Sequence, residues 1–480
     1  MPFLLLSAIL IFAAYALIGS TNALWVLTAS QLVLVIGQIA RRQVTGTGGF
    51  IFMSFLFFGM RPLYILIEND RYLFNDIYRI RVDTTELGDS MWWASLALWV
   101  FAAAAHAAPK ICSRYLRRRR VRNAAITVRP VVSNRSAALL ICLQLATLPA
   151  MLGLAVFGRT LYKSALGAYA YDFPVLMQSV HIFALVVLLE RWLRRKSTTN
   201  LLALCFSGFL FLDFTWLMRE VSVFRGFYLT GVMIAGIALV QRFKGRAGFA
   251  WLLVPIIGLQ PFFQYLGADR MKGNKEMAET SLVERVFENQ TVAEAYWNFY
   301  QGTGDMNIFD TFVAAKKSEP AFRPYLWSWL YVPLHLVPRA LWQGKPKKGI
   351  TQDVAFTNKA PTSPGIAGFF LLDGGLLWML GSMAVLGFLV SMFDWYILTL
   401  PRGYLQAALI GIVTINAMFL TRVFLWQYFY QMLYALVPCL VLSWWFGRSA
   451  KMDSAAARNR SAALSLGRNY PTPPNSGFGI

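Results

Sequence analysis

The sequence predicts an all-α polytopic membrane protein of about twelve transmembrane helices with one large polar loop on the outer side. Three observations predict it. The chain is 57% hydrophobic and only 14% charged, with mean hydropathy +0.50, more apolar surface than a soluble core can use. Apolar runs long enough to cross about 30 Å of hydrocarbon recur along it. Lys and Arg collect in alternate connections, as they do in cytoplasmic loops.

The apolar runs fall at residues 2–18, 23–39, 49–67, 91–107, 136–157, 174–190, 200–217, 223–240, 249–266, 366–393, 403–420 and 425–446. The first lies in MPFLLLSAILIFAAYALIGS, which lacks the basic n-region of a cleaved signal peptide, so a retained span is expected. The basic connections are Arg41-Arg42, Lys110 to Arg135 with its Arg117–Arg120 run, Arg191 to Lys196, Arg242 to Arg246, and the tail from Arg448 to Arg468. These are expected inside. Residues 68–90 carry Glu68, Asp70, Asp76, Asp83, Glu86 and Asp89, read as a solvated outer face. Both termini then lie in the cytoplasm, and residues 267–365 lie outside, which in a bacterium is the periplasm.

Tyr325 to Trp342 (YLWSWLYVPLHLVPRALW) is also apolar, but Pro333 and Pro338 break a helix there. A crossing would also place the basic tail outside, so an interfacial or re-entrant segment is expected. The resulting plan is a nine-helix region (1–266), the outer loop (267–365), a three-helix region (366–446) and a basic, disordered tail (447–480) ending in NYPTPPNSGFGI.

Several function classes are excluded. The net charge of +22 sits in short loops rather than on a basic module, so nucleic acid is not the partner. Cys112, Cys142, Cys205 and Cys439 have no CxxC spacing and none lies in the outer loop, which excludes a disulfide framework or zinc site. No DxD metal motif, Walker loop or Rossmann fingerprint stands in context, and Gly46-Thr-Gly-Gly49 joins two spans. No metal or cofactor is called for.

Ionisable side chains at membrane depth mark candidate sites. Arg61, Asp213 and His181 lie in the outer halves of their spans; Arg219, Glu220 and Arg225 occupy the turn between spans seven and eight, and Arg422 precedes the last span. All fall at one outer level, which suggests a polar cavity open to the periplasm. Plainer readings stand beside this: Arg61 with Asp213 as a structural ion pair, His181 as a hydrogen-bonded core histidine, Arg219 and Arg225 as headgroup-seeking side chains.

In the outer loop, residues 271–300 read as one or two amphipathic helices on the membrane face. Asp305 and Asp310, five apart, do not share a helical face; Asp305 reads as a helix start and Asp310 as a surface or capping residue. Tyr325, Trp327, Trp329 and Trp342 suit either sugar stacking or an interfacial aromatic belt, the belt being the plainer reading. The knot PRALWQGKPKKG places Arg339, Lys345, Lys347 and Lys348 outside, where they suit a diphosphate or anionic headgroups equally.

That knot, followed by TSPGIAGFFLLDGGLLWMLGSMAVLGFLV, resembles the bacterial oligosaccharide repeat-unit polymerases, the Wzy-type O-antigen polymerase group, in which a Pro-Arg, Trp, Lys-Pro element precedes a Gly-rich span. VFRGFYLTGVMI is similar to the Arg-Gly start of a mid-chain span in that group. The likeness covers roughly the second half of the chain and the overall hydropathy. Two departures occur: Gly368-Phe369-Phe370 stands where many relatives have Glu, with Asp373 later, and the Arg339 to Gly349 spacing is one residue short.

The resemblance implies a GT-C-like architecture and inverting glycosyl transfer between undecaprenyl-diphosphate-linked oligosaccharides. It also implies membrane lipid as surroundings, with a chain-length regulator and a flippase as partners. On this basis Arg225 and Arg339 are expected to stabilise the diphosphate, with Lys345, Arg422, Arg61, Arg219 and Trp342 at the substrate. The base is open among Asp373, His335 and Glu220. An O-antigen ligase and a non-enzymatic flippase are the alternatives; a flippase is expected to show internal repeats and mid-membrane charges, which are not seen here.

Overall fold

The computed structural model describes residues 1–41, 44–68, 72–73, 80–123, 133–162, 172–221, 234–236, 238, 294, 297, 308–317, 327–335, 337, 363–400, 403–422, 425 and 428–446. The helices are α1 (Pro2–Tyr15), α2 (Thr21–Ala40), α3 (Gly46–Phe55), α4 (Arg61–Ile67), α5 (Thr84–Asn123), α6 (Asn134–Tyr162), α7 (Asp172–Arg194) and α8 (Thr198–Val221), then α9 (Ile308–Lys317), α10 (Trp327–His335), α11 (Gly365–Thr399), α12 (Tyr404–Leu420) and α13 (Tyr428–Phe446). A π-helical turn, Leu56–Met60, joins α3 to α4. A two-strand antiparallel ladder, β1 (Tyr72–Leu73) with β2 (Ile80–Arg81), precedes α5.

The chain is an all-α membrane protein. Among the described residues, six helices are long and apolar enough to cross a membrane: Thr21–Ala40, Gly46–Ile67, Thr84–Cys112, Leu176–Arg194, Gly365–Thr399 and Tyr428–Phe446. Each coincides with an expected run. α1, Thr198–Phe214 of α8, and α12 are apolar but shorter, and α6 covers the fifth expected run. The expected runs at 223–240 and 249–266 lie almost wholly outside the described residues, as does the tail from 447.

The α5–α11 pair is the most extensive contact. α1 and α2 pack on α5, α3 packs on α12, and α6, α7 and α8 pack together and meet the rest where α7 touches α12. Small residues let the backbones approach without lipid between them. A Cβ on Gly387 of α11 would stand 2.2 Å from the Phe101 carbonyl oxygen of α5. One on Gly49 of α3 would stand 2.9 Å from Thr414 Cγ2 of α12.

Prolines inside these helices each free a carbonyl four residues back, and lipid offers no replacement donor; for two of them another helix supplies one. Pro62 frees Phe58, whose oxygen accepts from Gln31 Nε2 of α2 at 3.3 Å. Pro109 frees Ala105, whose oxygen accepts from Ser391 Oγ of α11 at 2.7 Å. Helix starts are served the same way. Asp83 Oδ1 accepts the Glu86 N–H at 2.6 Å to cap α5. The Gly46-Thr-Gly-Gly49 stretch is the first turn of α3 rather than a mere connection, and buried Asp394 accepts its N–H groups from Gly46 (2.6 Å) and Thr47 (2.8 Å), together with the Thr47 hydroxyl (2.7 Å).

The 267–365 stretch is not wholly an outer layer. α9 is buried along most of its length, with Phe309 and Phe312 edge-on to Phe58 of the π turn. α10 packs on α11, where the Trp329 ring stacks on Phe370 at 5.8 Å and its indole N–H donates to Ser382 Oγ at 3.1 Å. Trp329 is thus held by α11 through both its ring and its indole N–H.

Candidate functional site

α11 breaks in its first half. Gly374 (φ −168°, ψ 21°) and Gly375 (φ 75°, ψ −168°) leave the helical region, and the Gly375 conformation is one that side-chain-bearing residues avoid. The residue before the break is Asp373, only 3% exposed. Its Oδ2 accepts the Ser328 N–H at 3.0 Å, at the first turn of α10, where backbone donors lack intrahelical partners and the helix dipole favours negative charge.

Beside the break lies a cavity of about 540 Å³. Among the described residues its walls include Glu86 and Trp93 of α5, Lys316 and Lys317 of α9, and Leu371, Gly375 and Leu376 of α11. Lys317 Nζ stands 2.8 Å from Glu86, and Lys316 is ion-paired with Asp89 while its ammonium lies 5.2 Å from the centre of the Trp93 ring. Glu86 and Asp89 are therefore half-exposed members of ion pairs, not simply a solvated face.

α9 also carries one member of a second, fully buried pair. Arg61, at the start of α4, sets Nε 3.1 Å from Asp310 Oδ1 and Nη2 2.8 Å from Oδ2, and both side chains are 0% exposed. The guanidinium also lies 5.8 Å from the Tyr64 ring centre. Asp310 is thus a buried counter-ion, not a surface or cap residue, and it, rather than Asp213, is the partner of Arg61. Arg61 is not among the described residues that line the cavity.

His181 is a core histidine. Thr147 Oγ1 donates to the Gln144 carbonyl at 2.6 Å, so at 2.8 Å from His181 Nε2 it accepts, and Nδ1 takes the Gln144 amide at 3.0 Å. That amide nitrogen also faces the Ser207 carbonyl at 3.4 Å, and Ser207 Oγ donates to Gln144 Oε1 at 2.7 Å. Both imidazole nitrogens are taken in a neutral ring.

Arg422 sits half-buried after α12, next to Thr421, whose carbonyl lies against Gly365 at the start of α11. Arg225, Arg339, Trp342 and Lys345 lie outside the described residues. So do the side chains of Arg219 and Glu220 near the end of α8 and of His335 at the end of α10. Of the expected base candidates, Asp373 alone is described to its carboxylate, and it stands at the broken helix. Lys316, Lys317 and Trp93 were not read from the sequence as site residues. The only signal was the AAKK end of an amphipathic run facing an acidic loop, and charges 227 residues apart carry no mark of pairing.

Fold and site define an α-helical membrane protein whose bundle holds a polar cavity against a broken span. No family model, curated protein or solved structure matches the chain.

Proposed function

We propose that the protein is a membrane glycosyltransferase that joins undecaprenyl-diphosphate-linked oligosaccharide repeat units into O-antigen or exopolysaccharide at the periplasmic face of the bacterial inner membrane. The observation that carries this reading is the break of α11 at Gly374 and Gly375, which follows the buried Asp373 directly and contributes Gly375 to the wall of a cavity lined by charged side chains inside an apolar bundle. A carboxylate held away from bulk water, at a break in a span that also borders an open space of ligand size, suits general-base chemistry on a sugar hydroxyl.

In this reading the acceptor hydroxyl oxygen attacks the anomeric carbon of the donor glycan from the side opposite the diphosphate. The carbon–oxygen bond to the diphosphate breaks, and its electron pair leaves with undecaprenyl diphosphate. The hydroxyl proton passes to Asp373, the buried carboxylate at the break in α11. Arg225 and Arg339, supported by Lys345 and Arg422, neutralise the leaving diphosphate. The chain crosses the membrane about twelve times with both termini cytoplasmic, and a flippase and chain-length regulator work beside it. No cofactor or metal takes part.

The test is a deletion strain complemented with variants. Lipopolysaccharide bearing a single repeat unit is expected on deletion, and Arg339→Ala, Arg225→Ala and Asp373→Asn proteins are expected to insert normally without restoring chain length. Long polymer left on its lipid carrier would make the protein a ligase, and repeat units held on the cytoplasmic side would make it a flippase.

A further inference from the structure

The cavity beside the α11 break carries two ammonium groups, and the obvious ligand for ammonium groups next to a lipid diphosphate is that diphosphate. The pairing of the charges argues against it. Lys316 is already in contact with Asp89 and set over the face of Trp93, and Lys317 is already in contact with Glu86. A diphosphate would have to displace both carboxylates from their lysines and then sit against them.

A sugar ring meets no such conflict. Each hydroxyl both donates and accepts, so one ring takes donors from the ammonium groups and gives its own to the carboxylates without separating either pair. Trp93, Leu371 and Leu376 supply apolar wall for its C–H faces, and Gly375 offers bare backbone where a side chain would fill the space. The volume of about 540 Å³ is of small-ligand size. Glu86 and Lys317 keep 38% and 39% of their side chains exposed, so the charged pair marks an open mouth.

Resting on the glycosyl-transfer reading above, we infer that this cavity is the subsite for a neutral sugar ring of the acceptor glycan, with Glu86, Lys316 and Lys317 as its hydrogen-bonding rim and Gly375 of the α11 break in its wall, and that it does not hold the diphosphate.

The experiment uses the purified full-length protein in lipid nanodiscs, trace-labelled with an acetylating reagent, with Lys316 and Lys317 read by mass spectrometry. The probes are the neutral oligosaccharide released by mild acid from the host's own lipid-linked repeat units and, at equal concentration, inorganic pyrophosphate. At ten times its Kd the oligosaccharide should slow acetylation of both lysines about tenfold, since labelling then reports only the unoccupied fraction. Pyrophosphate should leave both rates unchanged. A Leu376→Trp protein, whose indole fills the cavity from its wall, should lose the protection; Leu376→Phe, a smaller filling, serves if the Trp variant does not fold.

Protection by pyrophosphate, protection by neither probe, or protection that survives the filled cavity overturns the assignment. Failure of the parent reading looks different: polymer length would be normal in the deletion strain, whatever the lysines report. A protein that polymerises but is protected only by pyrophosphate sinks the sugar subsite alone.

Discussion

Arg61 and Asp310 show what a buried charge demands of its surroundings. Removing either one takes from the other its two-point partner at a fully buried site. Arg61→Met or Asp310→Leu is therefore expected to destabilise by about 3–5 kcal/mol, whereas the double replacement recovers most of that loss. Thermal unfolding in detergent checks both, and equal losses in the single and double proteins would refute the pairing. Arg61 was legible in the sequence because a cation in an apolar run is conspicuous. Its partner was not, because IFDTFVAAKK has the alternation of a surface helix, and hydropathy does not say what will cover the polar side. The carbonyls freed by proline follow the same logic on a smaller scale. Ser391→Ala leaves the Ala105 oxygen without its donor and should cost about 1–3 kcal/mol in the same assay.

At the scale of elements, α11 combines a hinge-like break with a rigid crossing. Gly375 holds φ at 75° with an extended ψ, so Gly375→Ala should strain the break by roughly 1–3 kcal/mol. If the break serves the chemistry, the variant should reduce polymer length more than it lowers the amount of inserted protein. Gly387 has an ordinary helical backbone but lies against the Phe101 carbonyl, so Gly387→Leu should push α5 and α11 apart and lower thermal stability more than Gly381→Leu, whose site has nothing within 4 Å. In the sequence the whole of α11 read as one Gly-rich span. Its apolar run predicted its existence and place; the break was hidden because a glycine shows that a backbone is free to turn, not that it does. Asp373 stood out by type, while its place at the break came only with the fold.

For the whole molecule, hydropathy was the legible part. The membrane-length helices among the described residues fall on the expected runs, and Trp92 and Trp99 of α5 donate to Ile11 and Leu4 of α1, respectively, so α1 and α5 run antiparallel. Illegible was the division between loop and bundle, since polar composition sent residues 267–365 outside while α9 inserts among the spans. In a cysteine-free background, Lys317→Cys should react with a membrane-impermeant maleimide added to spheroplasts, and Arg117→Cys only after lysis. The reverse pattern would invert the topology.

The grip of Asp394 on the first turn of α3 sets a timetable. Its carboxylate and the Gly46 amide are 348 residues apart, so at ordinary synthesis rates tens of seconds separate their arrival in the bilayer. Throughout that interval two amide donors of an early helix wait for an acceptor that the ribosome has not yet made. The growing chain thus passes a late checkpoint, and a nascent chain halted at residue 390 should be cleared by membrane proteases faster than one halted at residue 446. In a pulse-chase experiment, full-length Asp394→Ala protein should be degraded at a rate close to that of the shorter chain.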